Sequence, residues 1–332
     1  MKPEGDYTVD AMLSNMAVSF LESDFEGTLI GGRMAPLVNV GLKSAFYPVH
    51  GLEELKVAAN EDLISTEGES KLYNPKESKD AYKCETHSEK IEIAEYDRLA
   101  AHAAFNIDAA KRIPDLVRRM RRRHEIIVAT LFGTTGNYNA ANYDTPDTLW
   151  DAEGADPVQD IEAAQDALNL ACGQNADTIV FPLAVWRKFK NLAAVRNAIK
   201  GDNGGAINEA DVAKFFNIPN VLVPKAIYDT TKKGQTKVLA RTWGTKDVIL
   251  AYCGPKGLDK DSASSAKTFC WLPEGIGAGA LGMLVGLRTD NSRGGVLGVK
   301  EGKVDWSYAV APTGVDEAGK LVSAFKLTGV IS

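Results

Sequence analysis

The stretch from Ile113 to Leu131 constrains the fold most. Its apolar residues Ile113, Leu116, Val117, Met120, Ile127, Val128 and Leu131 recur at helical spacing, with His124 in phase. At about 100° per residue they span roughly 120° of one face, which predicts an amphipathic helix over 113–132. The other face carries Arg112, Arg118, Arg119, Arg121, Arg122 and Arg123. Pro114 suits the first turn, where no backbone donor is lost, and Asp115 complements the positive helix end. Gly133 and Gly136 stop the helix. Lys111 to Glu125 holds seven basic and two acidic residues, a local charge of +5.

Just upstream the balance reverses. Residues 51–92 hold 11 acidic and 6 basic residues, net −5, with few large apolar side chains and a turn signal at Asn74-Pro75. So charged a segment builds no core alone. The alternation in Tyr82–Ile93 reads as a strand returning from the tip of an extended hairpin, and disorder is the alternative. Residues 9–21 read as a short amphipathic helix in an arm punctuated by Gly27, Gly31 and Gly32.

The whole chain, 332 residues with 38 basic and 44 acidic side chains, has a net charge of −6. That length suits two domains, and 45% hydrophobic with 25% charged residues is an ordinary composition for a soluble intracellular protein. The longest apolar stretch, Ile276 to Leu287, is 12 residues and glycine-rich, too short for a membrane span. The first ten residues lack the apolar centre of a signal peptide. Net acidity argues against general nucleic-acid binding.

Chemistry-bearing motifs are sparse. Cys84, Cys172, Cys253 and Cys270 form no CxxC and no zinc spacing with the histidines, so they read as reduced, mostly buried small hydrophobes. His124-Glu125 opens like a zinc-protease helix, but residue 128 is Val, and a packed structural histidine is the better reading. No GxSxG elbow or phosphate loop occurs. Gly277-Ala-Gly-Ala-Leu-Gly282 matches GxGxxG, yet Met283 onward reads as a β-run, which favours a tight glycine-rich crossing over a dinucleotide site. No catalytic, metal or cofactor-binding residue is assigned, and the chain is read as no enzyme.

The remainder is mixed. Helices are expected at 157–172, within 183–200 and from Asn208 or Glu209 through Phe216, with a short strand at Thr178–Pro182. Strands follow in Asn220–Tyr228, Lys237–Trp243, Asp247–Cys253 and Lys267–Leu272. Helices first and strands later indicate an α+β class.

The order of these parts resembles the major capsid protein of tailed bacteriophages, with the Hong Kong 97-type fold. The resemblance is carried by Leu149-Trp150 followed by Asp156-Pro157 and Asp160-Ile161, and by Thr178–Val180 before Trp186. The run Ala193–Lys200, Phe216–Ile218 through Val223, Trp243-Gly244, Leu250–Tyr252 and Thr268-Phe269 continue it, as does the segment 92–110 before the long helix. It implies an N-terminal arm at 1–45, an E-loop hairpin at 46–92 and a peripheral domain at 93–205 with the spine helix at 113–132. An axial domain at 206–305 and a C-terminal return to the peripheral domain at 306–332 complete the division.

The resemblance further implies a shell of hexamers and pentamers around double-stranded DNA, in a virion assembled in the bacterial cytoplasm. Its partners would be the chain itself, a separate scaffolding protein, a portal and a decoration protein, with DNA held without sequence specificity and no membrane. An encapsulin-like compartment shell is the alternative, and an NAD-dependent enzyme built on the GAGALG loop is the remote one. Lys71, Lys76 and Lys79 match no cross-linking position, and no cross-link is expected.

Because the E-loop resembles a strap over a neighbouring subunit, Glu61, Asp62, Glu67 and Glu69 are expected against Arg118, Arg119 and Arg122, opposite charge setting register more than affinity. Two other readings of these arginines stay open, a solvated helix face and a DNA contact. Gly27, Gly31 and Gly32 are the expected arm hinge.

Overall fold

The computed structural model describes residues 7–22, 29–49, 78–100, 108, 112–201, 205–231, 234–254, 261–275 and 281–332. The chain enters along a sheet edge as β1 (Thr8–Val9), then forms α1 (Ala11–Glu22), a single turn α2 (Gly31–Met34) and β2 (Leu37–Val40). β3 (Ser44–Val49) and β4 (Ser78–Lys83) pair antiparallel from Ser44↔Lys83 to Val49↔Ser78, so the ends of the charged segment return side by side. The span between them, with Glu61, Asp62, Glu67 and Glu69, lies outside the described residues.

β5 (Glu85–Ala94), α3 (Glu95–Ala100) and α4 (Ile113–Gly133) follow. Next come β6 (Tyr143–Asp144), α5 (Pro157–Cys172), β7 (Thr178–Val180), α6 (Leu183–Phe189), α7 (Ala193–Lys200) and α8 (Glu209–Phe215). The last part is β8 (Asn220–Leu222), β9 (Ile227–Asp229), β10 (Leu239–Arg241), β11 (Val248–Ala251), β12 (Ala266–Trp271), β13 (Met283–Asp290), β14 (Val299–Pro312) and β15 (Ala324–Leu327).

Two larger sheets organise these elements. The first runs β1-β13-β14-β12-β2, with β5 also paired to β14. Strand alternation along β14 sends Val304, Trp306 and Tyr308 to one face, where they meet Ile113, Leu116, Val117 and Met120 of α4 and Ala17 and Val18 of α1. The second sheet runs β6-β15-β11-β7-β8. Its central strand β11 is buried on both faces, Val248 and Leu250 toward α5–α8, Ile249 and Ala251 toward α4.

Local chemistry explains the helix ends. Asp156 caps α5 by accepting from the Val158 and Gln159 amides, Pro157 occupies the first turn, and Gly173 closes it at φ 68°. Asn208 and Asp211 form a reciprocal capping box on α8.

One expectation needs adjustment. The periodicity puts Ile127 on the buried stripe, but it is 38% exposed, while Glu125, Ala129 and Phe132 are buried. The helix changes partners midway, from the first sheet to the second, and its buried face turns accordingly. Helices α5–α7 share one core with β11 and β15, whereas β12–β14 belong with α4 to the other sheet. Residues 85–92 belong to β5, in the first sheet.

The GAGALG segment runs directly into β13, an antiparallel partner of β14, where a dinucleotide fingerprint requires a helix. Gly282 has φ 72°, and a Cβ there would strike the Ser307 carbonyl oxygen. Gly282 serves a tight strand crossing.

Candidate assembly surface

The first half of α4 presents a charged rail. Arg118 pairs with Asp115 at 3.2 Å and Arg112 with the same carboxylate at 3.5 Å. Arg119 reaches Glu89 at 3.1 Å and Arg123 reaches it at 2.7 Å. Glu89 sits on β5, so one acid of the negative segment already rests on the arginine face within one chain. Such exposed pairs contribute only about 0–1 kcal/mol each, and orient more than they stabilise. Arg122 is exposed. The structure therefore brings Arg119 to an acid of the same chain, and leaves the contact with Glu61, Asp62, Glu67 and Glu69 outside the described residues.

The second half of α4 buries one face between the arm and the second sheet. Glu125 is 2% exposed, and its carboxylate accepts the Ile30 amide at 2.9 Å, the Gly31 amide at 2.5 Å and the Trp243 indole Nε1–H at 2.5 Å. Burial pushes its pKa up, and the three donors pull against that. A Cβ on Gly31 would lie 2.6 Å from Glu125 Oε2, so glycine is needed there for close approach. Gly32 faces open space, and Gly27 lies outside the described residues.

Neighbouring His124 is 4% exposed, and burial, with Arg121 nearby, pushes its pKa down to about 3. Thr268 Oγ1 donates to the Ala35 carbonyl at 3.0 Å, so it accepts from His124 Nε2–H at 2.8 Å. The imidazole is thus neutral and carries its proton on Nε2. Together Glu125 and His124 fasten residues 30–35 of the arm to the spine helix.

The helix end is fastened too. The Leu131 carbonyl accepts Asn137 Nδ2 at 2.8 Å, the Phe132 carbonyl accepts Tyr138 Oη at 2.8 Å, and the Gly133 carbonyl accepts Lys326 Nζ at 2.5 Å. A buried ammonium suits the negative end of a helix, and Asp247 at 3.0 Å balances its charge.

Elsewhere, Glu301 is 2% exposed and accepts from Tyr7 Oη at 2.7 Å and from Arg293, which also contacts Asp290 at 3.0 Å and Glu92 at 3.3 Å. Sequence reasoning missed Glu125, Glu301 and Lys326, because a charged residue type normally signals solvent. The only hint was Glu125 adjoining an in-phase histidine. Cys84, Cys253 and Cys270 are buried, and burial pushes the Cys84 thiol up to about 11. Among the described residues no group of three or more His, Cys, Asp or Glu could hold a metal ion, and no helix is long and apolar enough to cross a membrane. The buried ionic groups Glu125 and Lys326 are engaged in holding arm, helix and sheets together.

No protein-family model matches the chain, and no curated protein matches it. Solved structures do. A phage-related protein from Bordetella bronchiseptica superposes with TM-score 0.72 at 19% identity, covering 98% of each chain. A structure from Microbacterium phage Oxtober96 gives TM-score 0.53 at 14% identity over 99% of this chain and 93% of that one. One from Mycobacterium phage Bobi gives TM-score 0.52 at 14% identity over 93% and 92%. The chain has the α+β, Hong Kong 97-type fold that the resemblance implied.

Proposed function

We propose that the chain is the major capsid protein of a tailed bacteriophage, assembling into hexamers and pentamers of an icosahedral shell that encloses double-stranded DNA. The observation that carries this reading is the end-to-end likeness to a phage-related protein, 98% of each chain at TM-score 0.72. The layout supports it: β3 and β4 pair at the two ends of an acidic stretch, and residues 30–35 of the arm are fastened to the spine helix. These features have most use where neighbouring copies stand beside one another.

A contact between two different patches closes into a ring when the rotation fits, and a shell needs rings of five and six. The hairpin would strap a neighbour, Glu61, Asp62, Glu67 and Glu69 meeting its arginine rail. The pairing of Glu89 with Arg119 and Arg123 supports acid on that rail as a workable contact. A separate scaffolding protein, a portal and a decoration protein would complete the particle, whose place is the virion after assembly in the bacterial cytoplasm. DNA would be held without sequence specificity, and the chain itself would catalyse nothing.

The test is expression of the full chain, alone and with a candidate scaffold, followed by electron microscopy. Closed shells that package DNA with their partners are expected. Small shells filled with cargo enzymes would point to a compartment protein, and a discrete monomer or dimer would overturn the reading.

A further inference from the structure

The short hairpin β9–β10 stands apart from both larger sheets. Its strands form a two-stranded sheet of their own, with Leu239↔Asp229, Ala240↔Tyr228 and Arg241↔Ile227 opposite one another, and neither packs broadly on another element. Opposite residues share a face, so the half-buried Tyr228 and Ala240 form the inner one. The outer face shows Ile227 at 50% and Leu239 at 62% exposure, and Val238, next in the chain, is 57% exposed. A two-stranded sheet of this size is marginal in water unless something covers it.

The hairpin is nonetheless held in one shape. At its root the Thr242 amide donates to the Ala226 carbonyl at 3.1 Å, and Trp243 just beyond is buried with its indole on Glu125. Toward the tip the Asp229 carboxylate accepts the Thr231 hydroxyl at 2.6 Å, the Thr231 amide at 3.0 Å and the Val238 amide at 3.3 Å. These bonds keep its charge within the turn and its pKa below the usual carboxylate value. Residues 225–241 hold five basic side chains and this one acid. The hairpin is therefore a preformed basic and apolar surface on an acidic chain.

A complementary surface lies on the outer face of α5. Glu162, Asp166 and Leu170 follow one another at four-residue spacing, so they share a face, and all three are exposed, Leu170 at 85%. The helix contains no basic residue, and among the described residues Glu162 and Asp166 have no ion-pair partner. Like charges one turn apart repel, and a counter-charge would relieve them. The hairpin of the same chain does not supply it. Trp243 at the hairpin root belongs to the core on one face of the second sheet, and α5 to the core on the other.

We infer that the outer face of the β9–β10 hairpin docks on the outer face of α5 in a second copy of this chain. Ile227 and Leu239 would cover Leu170, while Lys237 and Arg241 meet Glu162 and Asp166. The inference rests on the shell reading and names one contact within it. Two different patches of one chain make a heterologous contact, the kind that generates rings. Opposite charge sets the pairing, because hairpin on hairpin or α5 on α5 would place like charge against like. Nucleic acid would satisfy the basic side chains but leave Ile227, Val238 and Leu239 uncovered.

The experiment uses the full chain under conditions where the unaltered protein forms rings or shells. Lys237→Glu with Arg241→Glu is expected to lower the assembled fraction by about tenfold or more, read by sedimentation and electron microscopy, with melting temperature and circular dichroism unchanged. Glu162→Lys with Asp166→Lys is expected to do the same, and the chain carrying all four changes to recover assembly. Leu170→Ser, which alters no charge and no buried contact, is expected to reduce assembly as well. Normal assembly by either charge-reversed chain, or by Leu170→Ser, overturns the inference while the shell reading stands. So does a fourfold chain that is folded but recovers nothing. Loss of assembly on the hairpin side alone would assign the hairpin to another partner, DNA or a second protein, and equally overturns it. If the unaltered protein forms neither rings nor shells, the shell reading fails first and takes this contact with it.

Discussion

The two halves of the spine helix are built to different rules. From Ile113 to His124 one face packs on the first sheet while the other carries arginines paired with the exposed Asp115 and the largely buried Glu89. From Glu125 to Gly133 the buried face is held by the arm and Trp243, and the last carbonyls are taken by Asn137, Tyr138 and Lys326. The same helix is thus a rail for contacts at one end and a joint between sheets at the other. A charge on the rail can be changed cheaply because water replaces its partner. A charge in the joint cannot, because nothing else reaches it.

The sharpest break of this comparison is Phe132→Ala. Phe132 is fully buried where α4 meets the second sheet, and its loss is expected to cost about 3–5 kcal/mol, measured by chemical denaturation. A cost below about 1 kcal/mol would mean that the second half of the helix is no joint.

Trp243→Phe comes next. It keeps the ring but removes a hydrogen bond to a buried carboxylate, with an expected loss of about 1.5–3 kcal/mol. A neutral result would show that water satisfies Glu125 instead.

Acid sharpens the comparison further. The His124 pKa is lowered in the folded protein to about 3, so the unfolded chain binds the extra proton first. Stability is therefore lost as pH falls from about 6.5 toward 3. Glu125, with its folded pKa raised, works the other way: the folded chain takes up its proton first, so this term gains as pH falls through the raised value toward the ordinary one. The net effect is expected to be a loss that is shallower than His124 alone would give. Melting curves at pH 7, 5.5 and 4.5 check it, and His124→Gln should flatten the fall between pH 6.5 and 5. An unchanged slope would remove His124 from the account.

The smallest effect on stability is expected on the rail. Reversing Arg118, Arg119 and Arg122 to Glu should change unfolding free energy by about 1 kcal/mol or less, since these arginines are exposed. Assembly yield and its salt dependence should fall instead. Shells that form with unchanged yield and salt response would leave these arginines as a solvated face.

Much of the secondary structure was legible because it is written in local chemistry. Pro157 to Cys172 is a helix as read, capped by Asp156 and closed by Gly173. The long helix begins at Ile113 with Pro114 in its first turn, and the β-run after GAGALG is β13. Ile127 breaks the single periodicity because the helix has two partners, and its buried face turns between them. The grouping of α5–α7 with β15 was illegible because it joins residues more than 120 positions apart, and nothing local records that pairing.

By itself, the sequence determined the class, the main helices and most strands, and the opposed charges of the hairpin and the helix face. Periodicity, caps and turn residues act within a few positions, so they can be read directly. Tertiary structure alone decided that Glu125 and Lys326 lie inside and that the arm is fastened at Ile30 and Gly31. Each of these depends on which distant segment displaces water from a side chain, and that is a property of the packed chain and not of any stretch of it.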